Sequence, residues 1–135
     1  MSRKTVSQEM QDRFGRVLPH FDRIPDEFVD AEWDLMKRVQ FDETLIPKRY
    51  KELIALAVTA AGRCPYGAAV HSELARLHGA TEAEIEEALR VAKLASGWGV
   101  LMTGLQVDPR QFGEEVARAV AYATAPTFAE GGDGR

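Results

Sequence analysis

Residues 47–79 read PKRYKELIALAVTAAGRCPYGAAVHSELARLHG, and this stretch decides the fold. Pro47 opens a helix, and residues 53–61 are apolar almost without interruption. A Gly-Arg pair ends that helix, and Pro65 begins another that runs to Gly79, where a glycine suits a left-handed helix stop. The stretch therefore predicts two consecutive helices, of which the first is buried on most sides.

Helical signals continue on both sides of this stretch, and strand signals are nearly absent, so the sequence predicts an all-α fold. Thr81 and Glu84 form a capping-box pattern at the start of a helix. The apolar, glycine-rich segment 97–105 fits either a short buried helix or a tight turn joined to one. The predicted flanking helices span about residues 6–18, 25–39, 81–96 and 108–123.

Length and charge limit the possible functions. The chain has 135 residues, the size of one domain. Its formal net charge is -4, and its acidic and basic residues are interleaved along the helices. No basic stripe offers itself to phosphates, so nucleic acid is not expected as a partner. We expect a cytoplasmic protein that does not bind a membrane, because neither a secretory signal nor an apolar span is recognisable. We expect a single domain at 1–125 and a flexible tail at 126–135.

Cys64 is the only cysteine, and it directly precedes the helix that starts at Pro65. The unpaired N–H groups and the positive dipole at a helix start should stabilise a thiolate there. A single thiol excludes an intramolecular disulfide. Cys64 is therefore a candidate nucleophile, although a lone cysteine is often an inert small hydrophobe.

Glu52 and His71 are candidates for acid–base chemistry. His71 lies seven residues after Cys64, roughly 10 Å along the helix axis, so those two side chains should not touch. Glu52 lies in an otherwise apolar helix, where an unpaired carboxylate is costly. Pairing with one nitrogen of His71 would produce a general base. Gly67, four residues before His71, costs about 1 kcal/mol in a helix, which indicates close approach of a ligand or backbone.

Each candidate also has a structural interpretation. Glu52 could pair with Lys48 or Lys51 on an exposed helix face, and His71 could be a satisfied structural histidine. No dedicated metal site is expected, because the chain has one cysteine and no acidic cluster. Tyr66 is as readily a packing residue as a proton donor, and Trp98 and Met102 fit the core better than a substrate pocket. His20 and His78 have no neighbours in the sequence that suggest metal ligation.

The spacing of Glu52, Cys64, Tyr66 and His71 resembles the signature of alkyl hydroperoxidase D-like (AhpD-like) proteins, a glutamate followed by Cys-x-x-Cys-x-x-x-His. The resemblance covers about residues 50–105 and indicates the carboxymuconolactone decarboxylase family. It implies an AhpD-like helical bundle of about six or seven helices built on a helical hairpin. It also implies assembly as a homotrimer or homohexamer, and no cofactor.

The sequence departs from that signature at Gly67, which replaces the second motif cysteine, so a dithiol cycle within one chain is impossible. The resemblance implies Glu52, Cys64 and His71 as catalytic residues. We expect a carboxymuconolactone decarboxylase-like enzyme in which His71, oriented by Glu52, moves a proton on a small carboxylated or carbonyl substrate. The residues expected to line its pocket are Tyr66, Gly67 and Trp98.

Two other functions stay open. Cys64 could act as a one-cysteine peroxidase or redox sensor that depends on an external thiol as reductant. Alternatively, the chain could be a non-catalytic oligomeric scaffold in which the motif residues only pack.

Overall fold

The computed structural model describes residues 1–126, which form helices and contain no β-strand. A 3₁₀-helix spans Pro19–Arg23, and a π-helical turn spans Lys37–Phe41. The all-α prediction is confirmed. The predicted tail lies, except for its first residue, outside the described residues. The α-helices are α1 (Arg3–Phe14), α2 (Asp26–Met36), α3 (Lys48–Ala61), α4 (Pro65–Leu77), α5 (Glu82–Gly104) and α6 (Pro109–Ala123).

Helix α1 begins and ends earlier than the predicted range 6–18. The side chain of Ser2 accepts a hydrogen bond from the backbone N–H of Thr5, which caps the helix at its true start. Gly15 has a φ of 73°, and its N–H bonds to the carbonyl of Gln11, which stops the helix four residues early. Local capping therefore sets both ends of α1.

Helix α5 is longer than predicted, because the segment 97–105 continues it to Gly104 and does not form a turn. The predicted capping box is present: the Thr81 hydroxyl accepts from the Glu84 N–H at 3.1 Å, and the Glu84 carboxylate accepts from the Thr81 N–H at 2.9 Å. The predicted end near residue 96 was wrong, because the glycines at 97 and 99 are accommodated inside the helix.

Contacts divide the chain into two units, Met1–Ala92 and a second unit that begins at Lys93. The expectation of one domain at 1–125 stays a prediction. In the first unit, Trp33 is buried and lies edge-on to the rings of Phe14 and Phe21. The buried residues of this aromatic core are Val6, Met10, Phe21, Val29, Trp33 and Phe41. A second core in the same unit contains Leu56, Ala75, Ala80 and Ile85.

Helices α3 and α4 form the helical hairpin that positions the site. The turn between them contains Arg63 with a φ of 55°, and the N–H of Cys64 bonds to the Thr59 carbonyl at 2.8 Å. Helix α3 buries one face only, and Ile54 and Val58 are 52% and 65% exposed. The prediction that α3 is buried on most sides is therefore wrong for a single chain.

Candidate functional site

A buried carboxylate and an imidazole meet across the hairpin. Glu52, on the inner face of α3, has no exposed surface, and its Oε2 lies 2.7 Å from Nδ1 of His71 on α4. At this distance Nδ1–H donates to the carboxylate, which leaves Nε2 of the neutral ring as an acceptor. The structure therefore brings together the two residues whose spacing suggested a general base.

The lysines that offered an alternative partner for Glu52 are engaged elsewhere. Lys48 pairs with Glu43 at 3.6 Å, and Lys51 donates to the Asp42 carbonyl at 3.0 Å. Because neither ammonium contacts the buried carboxylate, His71 is the partner of Glu52, and the exposed-face interpretation is wrong.

The second oxygen of Glu52, Oε1, is buried and has no hydrogen-bond partner among residues 1–126. An unsatisfied buried acceptor costs about 1–3 kcal/mol. The negative charge of the carboxylate is therefore balanced chiefly through the single contact with His71.

Gln40 is a member of the site that sequence reasoning missed. Its side-chain nitrogen lies 3.3 Å from Nδ1 of His71, and the residue sits in the π-helical turn Lys37–Phe41. Nδ1 carries one proton at most on the neutral ring, and the shorter contact with Glu52 takes it. Gln40 therefore contacts the ring edge as a secondary polar neighbour. A π-helical turn is a frequent feature of functional sites, but its sequence gives no signal that places Gln40 here.

His71 lines a cavity of about 650 Å³ within the first unit, and its side chain is 16% exposed. The volume falls in the usual range for small-molecule sites. No described residue hydrogen-bonds to Nε2 of His71. Tyr66 and Gly67, both predicted to line a pocket, lie on this wall. The other lining residues are His20, Phe21, Ile24, Glu32, Leu35, Met36, Val39, Gln40, Ala55 and Val70.

Cys64 stands at the start of α4, as its position before Pro65 predicted. Its Sγ accepts from the N–H of Gly67 at 3.4 Å, and the side chain is half-buried. Cys64 does not line the cavity of His71. Two of the three predicted catalytic residues, Glu52 and His71, therefore form a hydrogen-bonded pair at the cavity, and the thiol of Cys64 lies apart from that cavity at the helix start.

Gly67 is required by close packing of α3 against α4. A Cβ at this position would lie 2.8 Å from Cβ of Thr59 and closer still to its Cγ2. The Thr59 hydroxyl donates to the carbonyl of Ala55 at 2.8 Å, which fixes the rotamer. The predicted close approach at Gly67 thus comes from a side chain of the facing helix, and Thr59 fills the space that a second motif thiol would need.

Trp98 belongs to the second unit. It lines a cavity of about 470 Å³ together with Met102 and Phe112, and 57% of its surface is exposed. Trp98 is thus not a core residue of the single chain.

Residues 1–126 contain neither a cluster of metal ligands nor a helix that could span a membrane. No three His, Cys, Asp or Glu side chains among residues 1–126 cluster as a metal site would require. In the same range, no helix has the length and apolarity needed to cross a bilayer.

The comparisons with known proteins agree with this fold. The sequence model of the carboxymuconolactone decarboxylase family matches residues 25–108. The crystal structure of the alkylhydroperoxidase AhpD core from Rhodospirillum rubrum aligns with a TM-score of 0.70 at 28% identity, over 78% of this chain and 80% of that one. A protein of Paracoccus denitrificans, described as uncharacterized protein 4 in the cox locus, is 38% identical over 64 residues. The match spans 47% of this chain and 58% of that relative.

Proposed function

Because the chain belongs to the carboxymuconolactone decarboxylase family, we propose that it is an acid–base enzyme acting on a small carbonyl substrate. His71 is the general base. Glu52 orients its ring and provides the counter-charge when the ring takes up a proton. The observation that carries this proposal is the 2.7 Å contact between the buried Glu52 carboxylate and a histidine that lines a cavity of about 650 Å³.

The proposed step is proton transfer at a carbon next to a carbonyl group. Nε2 of His71 takes the proton, the C–H electron pair moves into the carbonyl to form an enolate, and the imidazolium is stabilised by Glu52. Tyr66 and Gln40 line the same cavity and carry neutral donors suited to the developing oxyanion.

The test measures α-proton exchange, which does not require the natural substrate. A cyclic ketone and an unsaturated lactone are incubated in D₂O with the protein, and deuterium uptake is followed by NMR. We expect His71→Gln to lose exchange, and Glu52→Gln to slow it about 10²–10⁴-fold, because the ring loses its fixed tautomer and its counter-charge. Cys64→Ser serves as the matched control and should retain exchange. Full exchange in His71→Gln would reject the proposal.

A second candidate function, thiol peroxidase chemistry, is supported by the position of Cys64 at the start of α4, where its Sγ accepts a hydrogen bond from the Gly67 N–H. Here Cys64 attacks a hydroperoxide, the O–O bond breaks, an alcohol leaves and a sulfenic acid remains for an external thiol to reduce. Peroxide consumption with an added thiol, and a sulfenic acid adduct seen by intact mass, would support it. Loss of that activity in Cys64→Ser but not in His71→Gln would separate it from proton transfer.

A purely structural role for the motif fits the geometry less well. Glu52 is buried against His71, and the histidine faces an open cavity that side chains do not fill. A packing role would be supported if both Glu52→Gln and His71→Gln destabilised the fold without any effect on ligand binding.

Self-association as a homotrimer or homohexamer is also proposed, on the basis of apolar surface. Helix α6 buries none of its residues in the single chain, and Phe112, Val116 and Val120 are exposed at a spacing of four. Such a stripe on one helix face is typical of a protein interface. The exposed apolar residues of α3 offer a second surface of this kind.

A further inference from the structure

The wall of the His71 cavity contains no permanently cationic side chain. Its thirteen lining residues include neither lysine nor arginine, and the one fully charged group among them is the carboxylate of Glu32. Most of the wall is aliphatic or aromatic, and the remaining polar groups are the amide of Gln40, the phenol of Tyr66 and the imidazoles of His20 and His71. A carboxylate placed in such a cavity would lose water without gaining a cationic partner.

Cations close in sequence to the wall are held by other carboxylates. Lys37 lies 2.9 Å from Glu9, and Arg38 lies 2.7 Å from Asp34, so both residues of this π-helical turn are already paired. Arg23 belongs to the 3₁₀-helix that contributes to the wall, but it does not line the cavity. Among residues 1–126, no arginine or lysine therefore lines the cavity.

The catalytic pair does not supply the missing charge. The Glu52 carboxylate lies 2.7 Å from Nδ1 of His71 and offsets any positive charge on the imidazole. A bound carboxylate would thus meet either a neutral or a negative unit at the base of the cavity. Like-charge juxtaposition in a partly desolvated site opposes binding.

We infer that the cavity selects an uncharged, largely apolar carbonyl compound and rejects the carboxylated molecules that the family resemblance suggests. This inference rests on the proposed function, because it assigns the substrate class of the His71 site. The volume of about 650 Å³ accommodates a small ring with an aliphatic or ester substituent.

The experiment compares two probes of nearly equal shape: an unsaturated five-membered lactone that bears an acetic acid arm, and the methyl ester of the same molecule. Binding is measured by ligand-observed NMR and calorimetry at pH 8, where the carboxylic acid of the first probe is fully ionised. We expect the ester to bind at least about tenfold more tightly than the acid. Equal or tighter binding of the acid, or no binding of either probe, would overturn the inference.

A charge introduced on the wall provides the matched test. Leu35 lines the cavity and is 59% exposed, so Leu35→Lys adds a cation there without disturbing a core. Leu45 is fully exposed and does not line the cavity, so Leu45→Lys adds the same charge elsewhere. We expect Leu35→Lys to reduce the preference for the ester about tenfold and Leu45→Lys to leave it unchanged. An equal effect of both substitutions would contradict the inference.

The outcomes separate this inference from the proposed function. Selective binding of the ester without α-proton exchange would keep the inference on the cavity and reject the acid–base enzyme. Exchange that depends on His71, together with preferred binding of the acid, would keep the enzyme and reject the inference.

Discussion

Replacing Gly67 by alanine tests the packing that separates this chain from a dithiol protein. The added Cβ would lie 2.8 Å from Cβ of Thr59, an atom attached directly to the backbone of α3. The Thr59 hydroxyl donates to the carbonyls of Ala55 and Leu56, so rotating the side chain away would break these bonds. The two helices must therefore move apart, or Thr59 must leave its rotamer.

The magnitude follows from two opposing terms. Overpacking costs about 1–3 kcal/mol, and a contact between two atoms near the backbone belongs at the upper end. Alanine recovers at most about 1 kcal/mol of helix propensity relative to glycine, and less at position 67, which lies in the first turn of α4. We expect Gly67→Ala to lower the free energy of unfolding by about 2 kcal/mol and the Tm by roughly 6–10 °C.

The free energy of unfolding is measured by chemical and thermal unfolding of Gly67→Ala. A substitution at a second, uncrowded glycine serves as the control, and a double-mutant cycle tests the contact with Thr59. Gly113 in α6 has no atom within 4 Å of an added Cβ, so Gly113→Ala should be neutral or stabilising by up to about 1 kcal/mol. Thr59→Gly removes the opposing side chain, so the pair Thr59→Gly and Gly67→Ala should show a favourable coupling of about 1 kcal/mol or more. If Gly67→Ala behaves like Gly113→Ala, or shows no coupling with Thr59, the packing argument is refuted. The same clash predicts that Gly67→Cys cannot restore a working dithiol unless Thr59 is also changed.

Three further predictions concern pH, the core and assembly. Hydrogen bonds from Trp33 and Lys37 hold the pKa of Glu9 below its ordinary value of 4.5, so its stabilising contribution is complete above that pH and is lost as the pH falls further. Thermal unfolding of Glu9→Gln should therefore depend less on pH below about 4.5 than that of the wild type, and an identical slope would contradict this. Trp33→Ala should cost about 3–5 kcal/mol in denaturant unfolding, because the ring is buried at the centre of the aromatic core. Light scattering coupled to size exclusion should give a trimer or hexamer, and Val116→Asp should dissociate it; a monomeric wild type would exclude the proposed assembly.

The hairpin was predictable because its signals are local. Pro47 and Pro65 precede or begin the two helices, and Gly79 after α4 has a φ of 89°, as its predicted left-handed stop requires. The ends of α1 are also set by local signals, because Ser2 caps its start and Gly15 its end. The predicted range 6–18 was wrong because it did not take these two caps into account. The ends of α1 and of the hairpin helices therefore follow from capping residues and prolines in the sequence.

The site was predictable only where a motif spacing links its residues. Glu52 and His71 fall on a known spacing, and the structure brings their side chains within 2.7 Å. Gln40 and Thr59 reach the site through tertiary contacts, one from a π-helical turn and one from the facing helix. No sequence pattern around a glutamine or a threonine indicates such a contact, so neither residue could be inferred from the sequence.

Gly67 connects the two chemistries that the sequence left open. It lies four residues before His71 on α4 and lines the same cavity, while its N–H bonds to the Sγ of Cys64. A thiol at this position would stand on the cavity wall next to the histidine, but Thr59 occupies the space it would need. The missing side chain thus leaves Cys64 without a neighbouring thiol and leaves the cavity beside His71 without one as well. For this reason proton transfer at His71 is better supported by the geometry than thiol chemistry at Cys64.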